Sequence, residues 1–290
     1  MGTQFYTAQE EFLRSIDPIL LIEQIRKFRM LDFKDLSKGE ISNAIYEALS
    51  WNGKIIYLGN IGAYPANTSF FRVRKFSSKI DLVERFKSYS DFWEPPIDCV
   101  TTQGRLNAVG ESMLYTSPED PIVPIKEMRI EKGQLYALIK YDAKEIIRVN
   151  QIGRVVDYAE LGISSKTAIL NHEIVNSFLR DEFSRDVGQG TEYLYRISET
   201  IAKDYFDSPS EMQDAWSYAS VQDKFKYNVC FRPEVAHRLL RLQGALICKK
   251  EDGDDIKVYC IALCSKDEDG VRFYPLGSEE QKRVFPNISY

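Results

Sequence analysis

The chain has 290 residues, 44% of them hydrophobic and 28% charged, with a formal net charge of -5. That is enough apolar material to bury a core, in one large domain or two small ones, and it excludes a disordered or fibrous chain. The acidic balance argues against nucleic-acid phosphates as the main partner and leaves room only for a local basic pocket.

Cys99, Cys230, Cys248, Cys260 and Cys264 are scattered without a CxxC pair, so a reduced, cytoplasmic protein is expected. With His172 and His237 the only histidines, no zinc site is expected, and a Ser-His-Asp arrangement has few candidates. The first residues lack the basic-then-apolar form of a signal peptide, and no apolar run has the length of a membrane span.

Residues 1–53 read as helical. Asp17 has the place of an N-cap with Pro18 at the first helical position. Ile19, Ile22, Ile25 and Phe28 recur at intervals of three as one apolar face. Ser37 and Glu40 have the spacing of a capping box, Ile41, Ile45, Ala48 and Leu49 form the next face, and Asn52-Gly53 ends it. Ile55 to Leu58 reads as a strand, followed by a loop on Gly59, Gly62 and Pro65 whose glycine spacing is not that of a dinucleotide fingerprint. Phe70 to Phe76 alternates as a strand with Arg72 and Arg74 on one face. That face is either solvated or, if concave, a receiver of phosphates. Ser78 to Lys87 reads as a short helix with Ile80, Val83 and Phe86 inward. Trp93-Glu94-Pro95-Pro96 is irregular and suited to the wall or lid of a cleft.

The run Gly104-Arg105-Leu106-Asn107-Ala108-Val109-Gly110, then Met113 to Ser117, then Glu127, reads as a glycine-bracketed loop, a strand and a carboxylate. Arg105 offers a planar fork of donors suited to phosphate or carboxylate, Tyr115 a ring and a hydroxyl, and Glu127 a charge for a developing cation. A turn, a core tyrosine and a surface glutamate are the alternative reading of the same residues. Pro118, Pro121 and Pro124 precede Glu127. With Pro124 in a first turn, Glu127 falls in that turn and Glu131 is the next carboxylate, one turn on.

Further along, Gln134 to Tyr141 alternates as a strand. Residues 167–183 form an amphipathic helix with Leu170, Ile174 and Phe178 inward and His172 structural or exposed near its start. Thr191 caps a helix carrying Leu194, Ile197, Ile201 and Tyr205. Trp216 to Val221 and Lys226 to Phe231 read as paired strands with Ser220 in or beside the first, and Pro233 to Leu240 as a short helix. The strands at 245–248 and 258–263 flank the acidic tip Glu251 to Asp255, a hairpin signal without EF-hand spacing. Val271 to Tyr274 is the last strand.

Four pieces in this order resemble the RES domain, the toxin family of RES–Xre toxin–antitoxin pairs. They are Phe70 to Arg74, the Gly104–Gly110 loop with Tyr115 and Glu127, Ala215 to Gln222, and Asn228-Val229 with Pro233 to Ala236. The likeness covers about residues 68–243 and departs at the prolines, where family members enter a helix with alanine-rich sequence. It implies an ADP-ribosyltransferase-like α+β fold, a curved and mainly antiparallel sheet around a cleft with helices outside. It also implies NAD as substrate, without a metal, and cleavage of the nicotinamide–ribose bond by hydrolysis or phosphorolysis in a bacterial toxin or defence effector. Glu127 would stabilise the ribosyl cation. Arg105 with Arg72 or Arg74 would hold the pyrophosphate. Tyr115 would stack on nicotinamide or bond ribose, and Asn107 and Ser220 would help to position the ligand. Transfer of ADP-ribose to a macromolecule, and NAD binding without turnover, are the competing readings.

The expected organisation is a helical extension at 1–53, the RES-like domain at 54–243 and a β extension packed on it at 244–290. An Xre-type antitoxin or another inhibitory partner is implied by the resemblance. The N-terminal helices are expected to pack as an accessory layer on the chain's own core; the alternative is that the additions at both ends serve partner binding or self-assembly, with the Ile19–Phe28 face as the contact.

Overall fold

The computed structural model describes residues 2–159, 162–223, 225–253, 255–265 and 270–288. After α1 (Gly2–Arg14), the Asp17 carboxylate accepts the amides of Ile19 and Leu20 at 2.8 and 3.3 Å and starts α2 (Pro18–Arg29) on its proline. Ser37 and Glu40 close the capping box of α3 (Lys38–Ala48). The buried stripe of α2 is Leu21, Ile25 and Phe28, whereas Ile19 and Ile22 are 69% and 52% exposed, which corrects the expected face. Steps of three drift by about 60° each around a helix that turns about 100° per residue, so only the i, i+4, i+7 set stays on one side. Asn52 and Gly53, both at positive φ, turn the small hairpin of β1 (Ser50–Trp51) and β2 (Lys54–Ile55).

The strand expected at 55–58 stops at Ile55, and the expected glycine loop contains β3 (Ile61–Tyr64) instead. A Cβ on Gly62 would sit 2.3 Å from the Gln151 side chain, so this glycine marks a close strand approach rather than a turn. Next come β4 (Ser69–Phe76) and α4 (Lys79–Arg85), capped by Ser78. Leu82 and Phe86 face inward there while Ile80 and Val83 are exposed, a correction with the same cause as in α2. They are followed by β5 (Leu114–Pro118), α5 (Ile122–Glu127), β6 (Leu135–Ala143), β7 (Ile147–Ile152) and α6 (Lys166–Ser184). His172 on α6 is buried against the Tyr158 hydroxyl at 3.1 Å, and burial lowers its pKa, whereas Leu170 is half exposed. Thr191 bonds Gly188 rather than capping, and α7 (Tyr195–Thr200) begins after a 3-10 turn and runs into a π-helical turn at Ile201–Tyr205. The chain closes with β8 (Ala215–Ala219), β9 (Tyr227–Phe231), α8 (Pro233–Leu239), β10 (Leu240–Lys250), β11 (Ile256–Leu263), β12 (Arg272–Pro275) and α9 (Glu279–Val284). Asp254 in the acidic tip lies outside the described residues.

Ten strands form one sheet in the order β12-β11-β10-β6-β4-β5-β9-β8-β7-β3, antiparallel except for the parallel pair β7 and β8. The fold is therefore α+β around a large mixed sheet. β10 pairs along β6 from Leu240 to Lys249, with a register shift between Leu242 and Gly244, so the C-terminal strands continue the same sheet. Helices α1, α2, α3, α6 and α7 share a core with Trp216, Tyr218 and Cys230 of β8 and β9. Phe70, Leu114, Tyr141, Val229 and Phe231 belong to a second core with Phe86, Phe92 and Trp93.

The sheet parts at a seam between β4 and β5. β4 pairs with β6 at eight positions, but with β5 only at Phe70–Pro118 and Phe71–Ser117. Beyond that point Arg72 and Val73 on one strand, and Thr116 and Tyr115 on the other, are no longer bonded to each other, and a cavity opens between them. Among the described residues no helix is long and apolar enough to cross a membrane.

Candidate active site

The cavity at the seam has a volume of about 360 Å³, and Arg72, Arg105, Asn107, Glu111, Tyr115 and Glu127 all line it. Pro95, from the irregular segment after Trp93, forms part of its wall.

The glycine-bracketed loop is locked onto β5 through Tyr115. The Tyr115 hydroxyl accepts the Leu106 amide at 2.9 Å and donates to Asn107 Oδ1 at 2.8 Å. Burial pushes the phenol well above its ordinary range, so it stays a neutral donor. Its hydroxyl is thus occupied by the loop, and what it offers a ligand is the ring. Gly104 makes the closure feasible: a Cβ there would lie 2.1 Å from Asn107 Oδ1 and 3.3 Å from the Tyr115 hydroxyl. Gly104→Ala is expected to destabilise the protein by about 1–3 kcal/mol, as overpacking does. It should also break the Tyr115–Asn107 contact, both checked by denaturant unfolding alongside activity. An unchanged midpoint would mean that the loop has room to move.

Glu127 is the last residue of α5, not a first-turn residue. Asp120 accepts the Ile122 amide at 2.9 Å and starts the helix two residues before Pro124, and Arg129 at positive φ follows its end. A carboxylate at a helix C-terminus faces the wrong end of the dipole, and donors have to offset that. Three of them converge on Oε1: the Val221 amide at 2.8 Å, Asn228 Nδ2 at 3.1 Å, and the Ser220 hydroxyl. Among the described residues none bonds Oε2. Ser220 is fully buried and is held in turn by the amides of Gln222 and Asp223 at 3.2 Å each. It reaches the cavity only through Glu127. Ser117 donates to Asn228 Oδ1 at 2.7 Å, which sets the amide with its Nδ2 toward the carboxylate. Glu131, the other candidate carboxylate, is exposed and does not line the cavity.

The arginines divide. Arg105 donates through Nη2 to the Arg185 carbonyl at 3.1 Å and lies over the Tyr195 ring at 5.1 Å. Its Nη1 is buried without a hydrogen-bond partner, and so is Nη1 of Arg72. A buried charged donor left unbonded is costly unless a ligand fills the gap. Arg74, on the same face of β4 as Arg72, is turned to Asp91, whose carbonyl and carboxylate it bonds at 2.6 and 3.3 Å, and it does not line the cavity.

Asn228, Ser117, Glu111, Tyr195 and Tyr218 also line the cavity; Ser117 and Tyr218 fall within the Met113–Ser117 run and the Ala215–Gln222 segment, but nothing in their residue type marks them as site residues. Asn228 had a signal, its place in the resemblance beside Val229, but no residue type or spacing there announces a carboxylate partner. Among the described residues no group of three or more His, Cys, Asp or Glu side chains is placed to hold a metal ion. Comparison of the chain with protein-family models, with curated proteins and with solved structures gives no match.

Proposed function

We propose that this chain is a RES-like, ADP-ribosyltransferase-type enzyme that cleaves the nicotinamide–ribose bond of NAD. The observation that carries the reading is Glu127, gripped through one oxygen by three donors in a cavity where Arg72 and Arg105 each keep a buried, unbonded Nη1. A dinucleotide offers what these groups lack. Its pyrophosphate suits the two arginines, and its reacting ribose becomes cationic in the transition state.

In this reading the C1′–N bond breaks with its electron pair going to the nicotinamide ring, which leaves neutral. The oxocarbenium-like sugar is stabilised by the fixed carboxylate of Glu127. Water or phosphate then adds to C1′, giving ADP-ribose or its 1-phosphate, and a proton is released. The arginines and the Tyr115 ring orient the substrate, which removes much of the entropic barrier. A cytoplasmic toxin or defence effector is the role that goes with this chemistry. An Xre-type antitoxin or other inhibitory partner would restrain it, and the exposed Ile19, Leu20 and Ile22 of α2 are the proposed contact.

Transfer of ADP-ribose to a macromolecule is the second reading. The exposed Phe225, on the connection between β8 and β9 that also supplies the Val221 amide to Glu127, would offer such an acceptor an apolar contact. Incubation of the protein with NAD, with and without phosphate, separates these outcomes. Release of nicotinamide with free ADP-ribose or ADP-ribose 1-phosphate supports the proposal. Label on a macromolecule favours transfer, and no release at all would leave a ligand-binding protein without turnover.

A further inference from the structure

The loop at 103–111 carries Arg105 and Asn107, and one neighbouring segment, residues 195–205, grips it at both ends. At the start, Gln103 Nε2 donates to Glu199 Oε2 at 2.5 Å, and Ser198 Oγ donates to the Arg105 carbonyl at 2.8 Å. At the end, Glu111 accepts the Ala108 amide at 2.9 Å and forms an ion pair with Lys203. The Lys203 ammonium also donates to Glu199 at 3.0 Å. One cation therefore joins both ends of the loop, the first through Glu199 and Gln103, the second through Glu111. Glu199 is only 5% exposed, and its two carboxylate oxygens are taken by Gln103 and Lys203.

Lys203 sits in the π-helical turn at Ile201–Tyr205, a widened turn of the kind that recurs at functional positions. The segment is itself fastened to α3 and to the connection between α2 and α3. Arg196 donates to the carbonyls of Leu36 at 2.6 Å and Lys34 at 3.0 Å, and Tyr205 donates to the Ser42 carbonyl at 2.7 Å. None of these contacts involves the Ser220, Val221 and Asn228 donors that hold Glu127, so the Lys203 bonds can be lost while those donors keep their partners.

We infer that Lys203 is a positioning residue: its ammonium, bonded to Glu199 and Glu111, holds residues 103–111 in the conformation that presents Arg105, with its unbonded Nη1, to the dinucleotide. The inference rests on the reading of the cavity as an NAD site. Because Lys203 bonds none of the donors that hold Glu127, its loss should loosen substrate binding far more than it slows the chemical step.

The test is Lys203→Met, which keeps the apolar stem. KM for NAD is expected to rise about 10- to 100-fold, the range for losing hydrogen bonds to a charged group, while kcat stays within about threefold. Amide hydrogen exchange across 103–111 should accelerate in the absence of substrate, and Lys203→Arg should restore most of both. An unchanged KM with a lower kcat would overturn the inference, since it reports a smaller active fraction rather than a misplaced loop. So would unchanged exchange in the folded variant. Should Lys203→Met fail to fold, Gln103→Leu removes the bond at the start of the loop alone, and an unchanged KM and exchange there would count equally against it. If the wild-type chain releases no nicotinamide from NAD, the NAD reading fails, while the exchange measurement still judges the loop.

Discussion

Glu127→Gln is expected to lower NAD turnover by about 10²–10³-fold, the loss seen when one preorganised electrostatic group is removed from a transition state. Glutamine has nearly the same shape, and its carbonyl oxygen can still accept from Ser220, Val221 and Asn228, so the fold and KM should change little. What disappears is the negative charge next to the forming cation. Glu131→Gln is the control, since that residue is exposed and away from the cavity. Steady-state nicotinamide release by both variants, with unfolding curves to confirm integrity, checks the assignment. Near-full activity in a folded Glu127→Gln protein would remove Glu127 from the chemistry.

Arg105→Lys is expected to raise KM for NAD by about 10- to 100-fold although the charge is kept, because charge-assisted bonds from a planar fork are lost together. Arg105 uses one arm on the Arg185 carbonyl and keeps another buried and unbonded, and a single ammonium cannot serve both. Arg72→Ala should weaken binding as well. Arg74→Ala should not, since its guanidinium is spent on Asp91, and its cost should appear in stability instead. Titration of NAD binding to the three variants separates them. Equal effects of Arg72 and Arg74 would mean that the Asp91 contact gives way when ligand arrives.

Local signals read well where one short stretch contains all the partners. The Asp17-Pro18 cap, the Ser37–Glu40 box, the alternating β4 and β6 strands and the paired strands β8 and β9 all follow from residue type and spacing. Apolar spacing read in steps of three misassigned the inward faces of α2 and α4. Reading Gly62 as a turn missed β3, because a glycine chosen for close approach to Gln151 has the same letter as one chosen for its φ.

The candidate site divides along the same line. Residue order supplies the chemical groups: a glycine-bracketed arginine loop, a tyrosine ten residues on, and a carboxylate after a proline-broken approach. Which of them meet depends on how the strands pack. Arg72 and Arg74 are equivalent on a strand of period two, yet the seam between β4 and β5 opens beside Arg72, and Asp91 captures Arg74. Glu127 is set by Ser220, Val221 and Asn228, about a hundred positions away in the chain. The Arg105 loop is set by Lys203, about as distant. Contacts at that separation form because sheet pairing and core burial bring the strands together, and no local pattern of residues encodes them.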